Sequence, residues 1–213
     1  TRRYAGSKDR RAVRDLVYRA VRRSGERPHS GRAAMLGVAG EEPELAVLFD
    51  GSAHGPEPLA DGEEATPASA VPAWLSDRFD PLIGSRELDM LDRAPLDVRV
   101  NSLRGSLEQA QAQLPGSAPT TLSWMGLRLP EGFHVVESEA WKAGLVEIQD
   151  EGSQLHALAC GAQAGMTVVD LCAGAGGKTL APAAEMHDRG RIVASDADRA
   201  RLSRLEPRAE RAG

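Results

Sequence analysis

The run Val168-Val169-Asp170-Leu171-Cys172-Ala173-Gly174-Ala175-Gly176-Gly177-Lys178-Thr179 constrains this chain most. An apolar, β-branched stretch ends at an acid, a loop of Gly and Ala follows, and a helix is predicted from Lys178 to Met186. Strand, small-residue loop and helix in that order form a βα unit whose backbone N–H groups can approach a ligand closely. Glycine suits such a loop because a side chain would hold the ligand away and because some positions need positive φ. A second strand, Arg191-Ile192-Val193-Ala194-Ser195, then ends at Asp196. An acid about twenty residues past a glycine loop is placed to hydrogen-bond ribose hydroxyls.

Three loop templates compete. GxxxxGK[ST] fits Gly177-Lys178-Thr179 but meets Cys172 where its first Gly belongs. GxGxxG fits Gly174 and Gly176 but meets Thr179 at its third Gly. The nucleoside-binding loop of S-adenosylmethionine (SAM) enzymes, an acid followed by alternating small residues, fits Asp170, Cys172, Gly174 and Gly176, with Cys for the first Gly. A glycine-rich turn holding nothing stands beside all three.

Leu171–Thr179 resembles the cofactor loop of the RsmB/Nop2/Sun family of RNA 5-methylcytosine methyltransferases, with Gly174 and Ala175 where that family usually has Ala and Pro. Val146–Gln154 is similar to the family's V-Q-D-E-[GA]-S-Q segment, and Pro95–Leu103 to its P-x-x-[LV]-R-[VT]-N segment. The three matches fall in order across about residues 85 to 213. The resemblance implies a Rossmann-like SAM-methyltransferase sheet of the α/β class. A small α+β domain and a partial all-α, NusB-like N-terminal region would precede it, as in bacterial members acting on 16S ribosomal RNA. It implies SAM as cofactor, held by Cys172, Ala173, Gly174, Ala175, Gly176, Gly177, Lys178 and Asp196. Backbone N–H groups of the loop would face the SAM carboxylate and Asp196 the ribose hydroxyls. Lys178 would pair with the carboxylate or with an acid elsewhere.

In the family's chemistry a cysteine thiolate adds to cytosine C6, C5 becomes nucleophilic and takes the methyl group, and loss of the C5 proton with release of the thiolate restores the ring. The base leaves its stack for this to happen. The family's D-A-P-C and T-C-S segments do not occur in the sequence. The chain therefore reads as a fragment, with the nucleophilic cysteine expected beyond Gly213, no catalytic residue within it, and no activity of its own. Cys160 is expected to be a small core residue and Cys172 part of the loop.

The predicted organisation is 1–50 all-α, 51–81 linker, 82–143 small α+β RNA-binding domain, and 144–213 the start of the methyltransferase domain. Predicted helices cover residues 7–24, with Ser7 or Asp9 as cap, 32–39, 43–49, 85–91, 106–114 and 151–159. A closing helix over 198–212 is expected to kink at Pro207. Val98 and Val100 alternate as in a half-buried strand, with Arg99 and Asn101 facing RNA or the catalytic domain. Further strands are expected near 120–124, 127–129, 134–136 and 146–148, and Trp74 and Leu75 could dock the linker. Gly, Pro and acids punctuate 51–81. Arg201, five residues past Asp196, could reach the cofactor or stand exposed on its helix.

A net charge of −5 hides an asymmetry. Residues 1–32 hold eleven Lys or Arg against three acids, and residues 41–67 hold eight acids and no Lys or Arg. The basic segment is either a phosphate-contacting surface for RNA or a helix face partly neutralised by its acidic neighbour. No apolar stretch reaches membrane-spanning length, and two unrelated cysteines with five scattered histidines suggest neither a disulfide framework nor a metal site. A cytoplasmic monomer with RNA as partner, and no membrane or metal, is the resulting expectation. The alternatives are a P-loop-type nucleotide-binding protein and a non-catalytic RNA-binding module.

Overall fold

The computed structural model describes residues 6–91 and 94–213. Residues 1–5, which open the predicted all-α region and its basic segment, and residues 92–93 of the predicted α+β domain lie outside the described residues. The chain divides into two compact units, Thr1–Arg93 and Ala94–Gly213.

The first unit is helical: α1 (Ser7–Arg23), α2 (Gly31–Glu41), α3 (Pro43–Ala46), α4 (Ala73–Ser76) and α5 (Ser85–Asp89). Gly6 caps α1, its N–H donating to Asp9 Oδ2 at 2.8 Å, while Ser30 caps α2 by accepting the Ala33 N–H. Ala20, Ala34 and Val38 bury the α1–α2 contact, with Met35 and Leu45 against them. Val13, Val17 and Val21 of α1 stay exposed. The residues predicted as a linker pack onto these helices. The Thr66 N–H donates to the Ala33 carbonyl at 2.9 Å, the Ser69 N–H to the Arg23 carbonyl at 2.9 Å, and Val71 is buried. Trp74 is exposed and does not dock, whereas Leu75 is half-buried. Acids of the 41–67 segment take up the basic helices in ion pairs of Arg19 with Glu42, Arg23 with Glu41, and Arg32 with Glu63.

The second unit opens with β1 (Leu96–Val100), α6 (Leu107–Gln113), β2 (Ala118–Pro119), β3 (Gly126–Leu129), α7 (Glu139–Lys142) and β4 (Val146–Ile148). These strands form an antiparallel sheet ordered β2-β3-β1-β4. Val98, Val100, Leu127, Leu129 and Val146 join Ala110, Leu114 and Ala140 in its core. The expected half-buried strand is a correction: Asp97, Val98, Arg99, Val100 and Asn101 are all buried. Each polar member of β1's second face finds a partner, which permits burial on both sides. Arg128 clamps Asp97 through two bonds of 2.8 and 3.0 Å, and Arg99 Nε donates to Gln149 Oε1 at 2.8 Å. The strand expected near 120–124 is displaced to Ala118–Pro119, and that near 134–136 is a 3₁₀ turn, Val135–Glu137.

A Rossmann-like beginning follows: α8 (Glu151–Leu158), β5 (Thr167–Asp170), α9 (Leu180–Glu185), β6 (Arg191–Ala194), α10 (Arg199–Leu202) and α11 (Leu205–Ala212). β5 and β6 pair in parallel, Thr167 opposite Arg191 through Asp170 opposite Ala194. Asp150 caps α8 by accepting the Ser153 N–H at 2.9 Å. Gln154 and Ala157 are buried, Leu155 and Leu158 only partly, and Cys160 is exposed. The expected core role for Cys160 is thus overturned, because α8 ends at Leu158 and Cys160 lies in the exposed turn beyond it. The single closing helix expected over 198–212 is two. Pro207 has no N–H for the Ser203 carbonyl and its ring clashes there, so the chain breaks at Ser203–Arg204 and Pro207 sits in the first turn of α11.

Candidate functional site

Asp170 closes the glycine loop at its root. Its Oδ2 accepts the Thr179 hydroxyl at 2.7 Å and its Oδ1 the Cys172 N–H at 3.3 Å, so the acid that ends β5 ties the two ends of the loop together. The loop is also sewn to β6. Ser195 N–H donates to the Asp170 carbonyl at 2.8 Å, and Ala173 N–H to the Ser195 carbonyl at 3.0 Å. The helix predicted from Lys178 begins at Leu180, and Gly177 to Thr179 form a turn ahead of it.

Gly174 and Gly176 carry the conformations that require glycine, with φ of 53° and 86°. A Cβ on Gly176 would stand 2.1 Å from Leu205 Cδ1, so α11 presses directly on the loop backbone. Gly177 has open space where a Cβ would go. Among the described residues, the N–H groups of Gly177 and Lys178 have no hydrogen-bond partner, and the Lys178 side chain is exposed.

Asp196 meets the loop from the end of β6. Its Oδ2 accepts the Gly174 N–H at 2.7 Å and its Oδ1 the Asp198 N–H at 2.8 Å. Those two N–H groups, Asp198 first, hold the carboxyl below the usual carboxylate range, with the Arg201 charge adding to them. A carboxylate offers about four lone-pair positions, so each oxygen keeps one for a hydroxyl. Arg201 reaches the same place: a Cβ on Gly174 would lie 2.8 Å from Arg201 Nη2. The structure therefore brings together Gly174, Asp196 and Arg201, beside Ala173, Ala175, Gly176, Gly177 and Lys178. Cys172 is in the loop with an exposed thiol. Positive-φ glycines, free N–H donors with open space beside them, and an ionised carboxylate fit a ligand that carries both an anionic group and vicinal hydroxyls.

Sequence reasoning missed the support under this loop. Glu147 of β4 is 1% exposed and is gripped by Arg208 and Arg211 of α11. Arg208 Nη2 donates to Glu147 Oε2 at 2.6 Å while its Nη1 donates to the Ala175 carbonyl at 2.7 Å. Arg211 stacks 3.5 Å from the Trp141 ring centroid. Burial pushes the Arg99 and Arg211 guanidinium groups down, with Glu147 opposing in both cases. Asn101 donates to the carbonyls of Gly144 and Ala212 at 3.1 and 2.8 Å, and thus faces α11. Three positions apart, Arg208 and Arg211 share a helix face, but nothing in the sequence announces a partner about sixty residues upstream.

No family model matches the chain. It is 30% identical over 206 residues to ribosomal RNA small subunit methyltransferase B of Sodalis glossinidius (strain morsitans), a match covering 87% of this chain and 46% of that protein. It is 32% identical over 134 residues to the 25S rRNA (cytosine-C(5))-methyltransferase NSUN5 of Arabidopsis thaliana, covering 61% of this chain and 23% of that one. A solved structure, a methyltransferase homolog protein from Pyrococcus horikoshii, matches with a TM-score of 0.58 at 29% identity, over 66% of this chain and 49% of that chain. The chain thus spans less than half the length of these relatives.

Proposed function

We propose, from the premise that this chain belongs to the RsmB/Nop2/Sun family, that it is part of a SAM-dependent RNA cytosine-C5 methyltransferase acting on ribosomal RNA in the cytoplasm. The observation that carries this reading is the junction of Asp196 with Gly174, which brings a ribose-type acceptor against a loop with unpaired N–H donors. SAM supplies the electrophilic methyl group when bound. The N–H groups of Gly177 and Lys178 would receive its carboxylate, Asp196 its ribose hydroxyls, and Cys172 through Gly176 the wall between them. Lys178 would add its charge at the carboxylate end.

The attacking thiolate would come from the part of the full-length protein that this chain does not span. Cys160 lies outside the loop, and Cys172 belongs to the loop that would line the cofactor. The exposed Val169, Leu171 and Val193 on and beside β5–β6 are the surface that the rest of a doubly wound sheet would cover. P-loop chemistry is the weaker reading. Its Mg-holding acid would stand by the Thr of the GKT run, whereas Thr179 donates to Asp170 and Asp196 accepts the Gly174 N–H, and Cys172 replaces its first glycine.

Thermal denaturation of the full-length protein with SAM, sinefungin or ATP–Mg tests the assignment. SAM and sinefungin should each raise Tm at saturating concentration, and ATP–Mg should not. A shift with ATP–Mg alone would replace this reading with the nucleotide-binding one.

A further inference from the structure

We infer that Arg208 is a positioning residue for the cofactor loop, transmitting the rigidity of the buried Glu147 to the Ala175–Gly176 peptide. The inference rests on the reading of that loop as a SAM site. It starts from one peptide plane. The Ala175 carbonyl accepts Arg208 Nη1 at 2.7 Å, and the N–H of the same peptide, on Gly176, donates to the Ala173 carbonyl at 2.8 Å. Both polar groups of that plane are therefore held. The next two N–H groups along the chain, on Gly177 and Lys178, have no hydrogen-bond partner among the described residues. The plane bearing the Gly177 N–H is held at its other end, the Gly176 carbonyl accepting the Leu180 N–H at 2.9 Å, and it joins the Arg208-held plane at Gly176, whose φ of 86° suits glycine.

Arg208 is itself fixed. Its other terminal nitrogen donates to Glu147 Oε2 at 2.6 Å, and Glu147 cannot turn away, being 1% exposed and held on its second oxygen by Arg211. Arg211 in turn is pinned by the Trp141 ring and by a 3.0 Å bond from its Nη1 to the Trp141 carbonyl. Leu205, one turn before Arg208 on the same helix, presses on Gly176. α11 therefore braces the loop at two adjacent points, one polar and one apolar. Arginine suits the polar point because its planar fork reaches two acceptors in fixed directions, whereas an ammonium is a single flexible point. Preorganised donors bind an anionic group more tightly than donors that must first be oriented.

The test uses full-length protein with Arg208→Met and Arg208→Lys, and Arg128→Gln as a comparison that loses the Asp97 ion pair away from the loop. Sinefungin affinity by calorimetry and amide hydrogen exchange across residues 174–179 without ligand are the two readouts. Arg208→Met should weaken sinefungin about tenfold, as loss of a charge-assisted bond implies, and should speed exchange in the loop. Arg208→Lys, whose ammonium cannot hold both acceptors in fixed directions, should lose less than Arg208→Met but still about threefold in affinity, with faster loop exchange than the parent. Arg128→Gln should lower Tm without moving either readout. Unchanged affinity and exchange in Arg208→Met, or an equal loss in Arg128→Gln, would overturn the inference. Should the parent protein bind no sinefungin, the SAM reading fails separately, and the exchange measurement still decides whether Arg208 braces the loop. If Arg208→Met does not fold, the Arg208→Lys affinity and exchange decide in its place.

Discussion

Asp196 is one carboxylate that holds two backbone donors at once. Its two oxygens cap the Asp198 and Gly174 N–H groups, and that capping keeps the acid ionised. The pH dependence has a definite sign. A carboxyl whose folded value is depressed contributes stability above its unfolded value, and that contribution is lost as pH falls through the folded one. SAM affinity of the full-length protein should thus stay flat from pH 8 down to about 5 and fall only below about 4, the ordinary aspartate range. Asp196→Asn should cost about tenfold or more in SAM affinity at neutral pH. The amide turns an NH₂ donor toward one of two backbone donors and so breaks a loop bond. Titration calorimetry across pH on both proteins checks this. The position of Asp196 was legible in the chain from its spacing to the loop. Its hydrogen bond to Gly174 was not, since spacing says where a strand ends but not which N–H points back at it.

α11 shows that a helix can matter through its docking rather than its length. Its carbonyls at Arg211 and Ala212 meet Gly144 and the Asn101 and Arg104 side chains. Gly144 has φ 70°, and a Cβ there would lie 1.9 Å from the Arg211 carbonyl oxygen, a backbone atom that cannot swing aside. Gly161 has a similar φ of 60° and nothing within reach of a Cβ. Gly161→Ala should therefore cost only left-handed strain, about 1–2 kcal/mol. Gly144→Ala should cost that plus displacement of α11, about 3 kcal/mol or more in total. Urea unfolding of the two variants measures the difference, and equal costs would mean that α11 is not held at Gly144. Periodicity located α1, α8 and β4 well, because their apolar or capping patterns are local. It located β1 too but missed its burial on both faces, because the second face is polar in sequence and is buried by partners thirty to fifty residues away.

In the first unit the charge is less one-sided than the sequence suggests. Eleven basic residues in the first 32 suggest a broad cationic surface, but Arg19, Arg23 and Arg32 are engaged by acids of the following segment. Arg11, Arg22 and Arg27 are exposed and enter none of these ion pairs. If this face meets RNA, the phosphate contacts fall to basic residues outside those three pairs. Replacing Arg11, Arg22 and Arg27 together by Ala should reduce the slope of log affinity against log salt by about 2 for a single-stranded target. Electrophoretic shifts of a ribosomal RNA fragment over a salt series give that slope, and an unchanged slope would remove these arginines from the interface.

The local chemistry of the chain was enough to specify the strand–loop–strand unit, its glycines, the acid at position 196 and the kinship with RNA methyltransferases. Each of these depends on residues close together in sequence or on an ordered set of short motifs. Folding alone settled that Asp97, Arg99 and Asn101 are buried, that the acidic segment wraps the basic helices, and that Glu147, Arg208 and Ala175 form one chain of contacts. Those facts join residues dozens of positions apart. Their energies exist only once low-dielectric surroundings and fixed geometry make an unpaired charge or N–H costly, and no linear pattern carries that information.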